Sequence, residues 1–297
     1  MPVTEPTRFQ VRLRAPIDEV WHALTDPGAL CEWLAEYAEV DLPSRYEFWG
    51  RYTPDGDRPR QRLLLAEGNV LRFAWTVGGT ETVVEIALSE DGDGTSLSFS
   101  QSGLPDYTAM LADSDSALGM MYTYWALSIA NLADHVEGRP LTARCDLTSP
   151  LMSEEVRIDA PRGEVYSSIA DPAVFTRWFG ARIEAETEVG GRWAMGSLEI
   201  DPDPAKIVDL VPGSKMTLAY QDGVVASWEL EDSEGGTKLT FVQSGFSEEK
   251  PPYGSWMGWL SGLAELRRFH EIDPWLPLWA DVRLEGMPEG LITLEGK

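Results

Sequence analysis

Two glutamines stand where a side-chain amide could meet a ligand. Gln101 and Gln243 each continue a period-two alternation, Leu97-Phe99-Gln101 and Leu239-Phe241-Gln243, which aims a hydrogen-bonding group at an otherwise apolar face. A buried amide requires partners, supplied either by a bound molecule or by the protein. The competing assignment is a bond to the backbone of the Ser-Gly turn that follows each glutamine, and its repetition in two places favours that structural role. The chain is also rich in rings and thioethers, with 12 Trp and 9 Met. Large rings supply contact area and methionine adapts to irregular shapes, which suits a cavity for a hydrophobic molecule. The candidate lining residues, with the two glutamines, are Trp33, Phe48, Trp75, Met121 and Trp125, then Trp178, Trp193, Tyr220, Trp228, Trp256 and Trp259. The same residues would equally fill a solid core, and both readings stand at this stage.

Catalytic chemistry finds little footing. The three histidines, His22, His135 and His270, have no neighbouring nucleophile and carboxylate that sequence can single out. His22 reads as solvent-facing on a helix, and His135 and His270 lie near helix ends, where a cation meets the dipole favourably. No nucleophile elbow, phosphate loop, dinucleotide fingerprint or zinc-protease motif occurs. Cys31 and Cys145 lie far apart and outside any metal-ligand spacing. Arg72, Arg177 and Arg192 could hold a carboxylate or enolate, yet Arg72 and Arg192 alternate outward and Arg177, beside Trp178, reads as a stem packed on a ring at a domain edge. No catalytic residue, metal or cofactor is therefore expected.

Charge narrows the partners. A net charge of −25 over 297 residues repels phosphate backbones and anionic lipid, so neither nucleic acid nor membrane is expected as a partner. The amino terminus lacks an apolar leader segment, and no run approaches the roughly 18 apolar residues of a membrane span. With two unclustered cysteines, a cytoplasmic location is the expectation.

The elements that must position these residues emerge from a repeat. APIDEVWHALTDPGALCEWL from Ala15 aligns with APRGEVYSSIADPAVFTRWF from Ala160, an offset of 145 with seven of twenty positions identical. GTSLSFSQSGL from Gly94 aligns with GTKLTFVQSGF from Gly236 at an offset of 142, again with seven identities. Between these blocks Gly68 falls opposite Gly213, and beyond them Trp125 and Leu132 fall opposite Trp259 and Leu266. Each copy reads as a short amphipathic helix opened by Pro16 or Pro161 and broken at Asp26-Pro27 or Asp171-Pro172, then a second short helix carrying Trp33 or Trp178. Alternating strands follow, and a longer apolar helix closes each copy. The pattern predicts an α+β architecture of two tandem domains, each an antiparallel sheet wrapped around one long C-terminal helix. The boundaries expected are 1–140, a linker over 141–153, a second domain over 154–273 and a tail over 274–297. Within the tail, VRLEG-MPEG-LITLEG reads as a hairpin docking on the domains.

These motifs, E-V-W-x-A-L-T-D-P, the D-P-x-x-x-x-x-W continuation, Gly190-Gly191-Arg192-Trp193 and G-T-x-L-x-F-x-Q-S-G, resemble the Bet v 1-like, or SRPBCC/START-type, superfamily and within it the branch named for the activator of Hsp90 ATPase. The resemblance implies the helix-grip fold, twice. It implies several functions, because that fold hosts small-molecule binding, polyketide aromatase/cyclase enzymes and chaperone co-factors. Noncatalytic binding of a hydrophobic small molecule between sheet and long helix is the leading expectation, with the cyclase and chaperone roles as alternatives. The first copy departs from the pattern, carrying Arg45-Tyr46-Glu47-Phe48 where the second keeps Gly-Gly-Arg-Trp.

Overall fold

The computed structural model describes residues 5–199 and 201–294. The first four residues of the expected first domain and the last three of the expected tail lie outside the described residues. Two compact units are present. The first comprises the chain through Ser149 with Pro252–Ser261 and Leu278–Met287, and the second comprises Pro150–Pro251, Gly262–Pro277 and the chain from Pro288.

In the first unit, β1 (Thr7–Leu13) leads into α1 (Ile17–Thr25) and α2 (Pro27–Trp33). Pro16 caps α1 with φ −59°, the value its ring imposes. Asp26 closes α1 and opens α2, its carboxylate accepting from Ala29 N at 2.9 Å while Pro27 occupies the first helical turn. Trp33 then donates from its indole to Ala23 O at 2.9 Å, stapling α2 back on α1. Strands β2 (Tyr37–Asp41), β3 (Arg45–Trp49), β4 (Gln61–Glu67), β5 (Val70–Val77), β6 (Thr80–Asp91) and β7 (Gly94–Ser102) follow, then α3 (Tyr107–Ala112) and the long α4 (Met121–Val136).

The second unit repeats the order with β8 (Ser153–Ile158), α5 (Arg162–Ala170), α6 (Pro172–Phe179), β9 (Ile183–Ala185), β10 (Arg192–Met195), β11 (Ala205–Val211), β12 (Lys215–Ala219), β13 (Val225–Ser233) and β14 (Gly236–Ser244). The helix α7 (Tyr253–Glu271) and strand β15 (Trp279–Arg283) complete the chain. Asp171 caps α6 through Ala173 N and Val174 N, and Trp178 staples α6 to Ser168 O at 2.7 Å.

Two of the repeated motifs that lie far apart in the chain turn out to touch. In each unit the threonine of Gly-Thr donates to the alanine carbonyl of Ala-Pro at 2.7 Å, Thr95 to Ala15 and Thr237 to Ala160, and both threonines are fully buried. The preceding glycines are required by close approach: a Cβ on Gly94 would stand 2.4 Å from Leu13 O, and one on Gly236 2.6 Å from Ile158 O. The shared sequence thus ties the first strand's exit to the last strand's start.

All strand pairings are antiparallel. The second unit forms one seven-stranded sheet in the order β8-β14-β13-β12-β11-β10-β9. The first unit forms β15-β1-β7-β6-β5-β4, with β2-β3 as a separate two-stranded sheet. The departure in the first copy's third strand accounts for the break. In the second unit the backbones of β10 and β11 pair through Arg192↔Lys206 and Trp193↔Ala205. In the first, the side chain of Gln61 bridges the gap, its Oε1 accepting from Phe48 N at 3.3 Å and Arg60 N at 3.1 Å.

The tail corrects the hairpin expected from the sequence. Its first arm, β15, pairs with β1 through Arg8↔Arg283, Phe9↔Val282 and Gln10↔Asp281. Its second arm bonds elsewhere, with Arg182 N donating to Leu291 O and Thr293 N to Gly180 O. Both edges had unpaired backbone groups to satisfy, and that need outweighed the Pro-Glu-Gly turn signal. The expected linker is also laid down rather than free over its first part. Asn131 makes two 3.0 Å bonds with the backbone of Thr142, and Arg144 donates to Cys31 O and Ala35 O at 2.7 and 2.6 Å. Truncation after Pro277 strips β15 from β1 and is expected to lower the thermal midpoint and promote aggregation on heating, measured by calorimetry and light scattering; an unchanged midpoint would show the strand to be dispensable.

Candidate functional site

In the first unit α4 lies over the sheet, and ring contacts run continuously between them. Trp75 on β5 sits at the centre, with ring centroids 5.2 Å from Phe48, 5.7 Å from Tyr124 and 5.9 Å from Trp125. Phe99 extends the cluster to 4.8 Å from Trp125, and Tyr46 and Phe73 extend it the other way at 5.1 Å. The predicted lining residues Phe48, Trp75, Met121 and Trp125 are all buried here. Such edge-to-face packing is the preferred geometry of aromatic pairs.

Gln101 takes neither role foreseen for it. Its Oε1 accepts from the Trp125 indole at 2.7 Å and its Nε2 donates to Thr82 Oγ1 at 2.9 Å, while Thr82 donates to Trp75 O at 2.9 Å. The amide is a clamp between α4 and the sheet. Trp33 and Trp178, likewise predicted to line cavities, spend their indole N–H groups on the staples between short helices.

One polar atom at the centre of this ring cluster, Trp75 Nε1, makes no hydrogen bond and is sealed from solvent, while the Tyr124 hydroxyl lies beside those of Ser128 and Thr53. Burial pushes the Tyr124 phenol well above its ordinary range, against the smaller opposing effect of the Ser128 and Thr53 hydroxyls. The Tyr46 phenol is raised the same way, with Tyr124 as the next contributor. Both phenols therefore stay neutral at physiological pH. A buried polar group without a partner costs about 1–3 kcal/mol, so an indole N–H left without an acceptor at the centre of a ring cluster calls for an explanation.

Sequence reasoning missed Tyr46, Thr53 and Tyr124. A signal existed in the alignment of the two copies. Moving one residue back from Trp125 and Trp259 sets Tyr124 opposite Gly258, and the offset of 145 sets Trp75 opposite Tyr220. The indole of Trp75 and the phenol of Tyr124 are thus features of the first copy alone.

The remaining candidates are placed differently. Trp193 packs on Phe175 at 5.8 Å and Trp228 on Phe241 at 4.9 Å, both within the second unit's core. Gln243 is buried there, and its backbone N donates to Met152 O at 3.0 Å. Tyr220 lies just past β12 and is half-buried, its N bonded to Val224 O at 2.8 Å. Trp256 is buried and Trp259 half-buried, and both fall in the part of α7 that belongs to the first unit.

Arg72 and Arg192 point outward as expected, bonded to Glu85 and Glu186. Arg177 packs on rings as expected, its guanidinium over those of Phe269 and Trp275 at 5.1 and 5.7 Å. His270 also departs from expectation. Burial lowers its pKa, so the imidazole is held neutral and meets Ser168 Oγ at 3.0 Å instead of serving as a cation at the helix end. Among the described residues no three His, Cys, Asp or Glu side chains come together as a metal site, and no helix is long and apolar enough to cross a membrane.

An antiparallel sheet on a long C-terminal helix, with two short helices after the first strand, defines the helix-grip class, here present twice. The chain belongs to the family of Activator of Hsp90 ATPase homolog 1-like proteins, whose model matches residues 14–137 and again 159–271. Among solved structures it is similar to CalU16 from Micromonospora echinospora, at 25% identity and TM-score 0.34 over 41% of this chain and 76% of that one. It is similar to the Aha1 dimer from Colwellia psychrerythraea at 19% identity and TM-score 0.37, covering 41% of this chain and 96% of that one. DynU16, described as a putative protein in the dynemicin biosynthetic locus, aligns over 90% of this chain and 99% of its own at 19% identity and TM-score 0.36. No curated protein matches the chain.

Two measurements check the roles assigned to Gln101 and His270. Gln101→Leu leaves the Trp125 indole without its acceptor and is expected to destabilise the first unit by about 1–3 kcal/mol in urea unfolding, with partial recovery when Trp125→Phe is added. For His270, flanked by Ser168, Glu164, Glu271 and Phe269, the folded pKa lies below the ordinary 6.5, so the unfolded chain binds the proton first as pH falls. Wild type should therefore lose stability relative to His270→Gln as pH drops below about 6.5; parallel pH profiles for the two proteins would refute this.

Proposed function

We propose that the protein binds a small hydrophobic molecule, without converting it, in the interior of its first unit between the sheet and α4. The observation that carries this reading is the sealed indole N–H of Trp75, which has no acceptor in the protein and sits within a shell of rings. Binding pockets of this kind are apolar with a few orienting polar groups, and a ligand's polar atom would recover the desolvation cost that group bears. The second copy, with Tyr220 and Gly258 at the equivalent positions, lacks this arrangement and serves as scaffold. The thiols fit a cytoplasmic location: both cysteines are free, and burial pushes Cys145 up to about 12, leaving it inert.

One observation favours a second reading. The buried neutral phenols of Tyr46 and Tyr124 are groups that an aromatase/cyclase-like enzyme would use to polarise a carbonyl.

Native mass spectrometry of protein purified from its own host tests the binding. A co-purifying small molecule at one per chain, reduced in occupancy by Tyr124→Phe and Trp75→Phe, is the expected result. Chemical change of that molecule on incubation with fresh protein would favour the enzyme. Absence of any adduct, together with no uptake of added hydrophobic compounds, would overturn both.

A further inference from the structure

We infer that the molecule held in the first unit is a neutral ring compound that presents an acceptor oxygen of the ketone or quinone kind to the indole N–H of Trp75. This rests on the interior binding proposed above and narrows what is bound. An indole nitrogen donates and never accepts, so whatever satisfies Trp75 Nε1 must be a lone-pair acceptor. The neighbouring Tyr124 hydroxyl has those of Ser128 and Thr53 beside it, which leaves the indole as the group that lacks a partner. A sealed indole N–H matches an oxygen lone pair and does not match an alkyl group.

Charge is excluded on two grounds. The chain's net charge of −25 opposes an anion, and burial of an unpaired charge is costly in so apolar a setting. The cation within electrostatic reach of Tyr124 is Arg144, and its guanidinium is already committed to Cys31 O, Ala35 O and the face of Tyr52 at 4.1 Å. The shell of Phe48, Tyr124 and Trp125, with centroids 5.2, 5.7 and 5.9 Å from that of Trp75, is aromatic and suits an apolar ring compound.

The test uses the full chain and paired probes that differ by one carbonyl oxygen, 1-tetralone with tetralin and 9-fluorenone with fluorene. Binding is measured by calorimetry for wild type and Trp75→Phe. The variant should lose about tenfold in affinity for the ketones and less than about twofold for the hydrocarbons. In wild-type protein labelled with nitrogen-15 at tryptophan, the Trp75 indole proton should move downfield with the ketones alone, a readout that does not depend on the variant folding. Equal losses for ketone and hydrocarbon, or an unmoved indole resonance, would overturn the acceptor assignment while leaving interior binding intact. Failure of every probe to bind would overturn the interior binding and the acceptor assignment together.

Discussion

The first unit depends on one hydrogen bond more than on any other, that between the Trp125 indole and the Gln101 amide. It joins the long helix to the last strand of the repeat, and its continuation through Thr82 to the Trp75 carbonyl locks the register of three neighbouring strands beneath that helix. In a low-dielectric interior such a chain is strong when complete and costly when broken. The rings around Trp75 can therefore be held in fixed orientation, which is the condition for any selective contact made by its free N–H.

Duplication clarifies which residues build and which distinguish. The features common to both units have mechanical roles: Asp26 and Asp171 cap, Trp33 and Trp178 staple, and Thr95 and Thr237 fasten the last strand to the Ala-Pro turn. These bonds are made by short-range geometry that any copy must reproduce to fold. The features confined to one unit concern the interior and the edges. Gln61 substitutes for a stretch of backbone pairing in the first unit, and β15 covers the β1 edge. A sheet with a side-chain bridge between β3 and β4 is locally less constrained than one with a continuous ladder, which places the pliable part of the first unit beside Thr53, the neighbour of the Tyr124 hydroxyl.

Acidity is organised as much as it is abundant. Arginines on the sheet faces are matched across strands or within turns, as in Arg72 with Glu85, Arg192 with Glu186 and Arg62 with Glu81. Such exposed pairs contribute little stability each, and the surplus of carboxylates remains a solvated field.

The helices, the turns and the alternation of most strands were legible in the sequence because they rest on local rules: proline and aspartate at helix ends, glycine at close approaches, and side chains alternating across a strand. Duplication was legible for the same reason, and with it the helix-grip family. Other outcomes depended on which distant groups met. Gln101 was recognisable as a buried amide, but its partner lies 24 residues away on α4 and could only be found once helix and sheet were packed. The tail carried a convincing turn signal, yet its two arms were claimed by separate strand edges with unpaired backbone groups. Trp75 was visible as a ring, while the solitude of its nitrogen was not, since being unpaired is a property of all surrounding atoms together. The sequence by itself determined the two scaffolds through local conformational preference. Only the tertiary structure decided where polar atoms are left without partners, because satisfaction of a buried group is set by packing in three dimensions and not by neighbours along the chain.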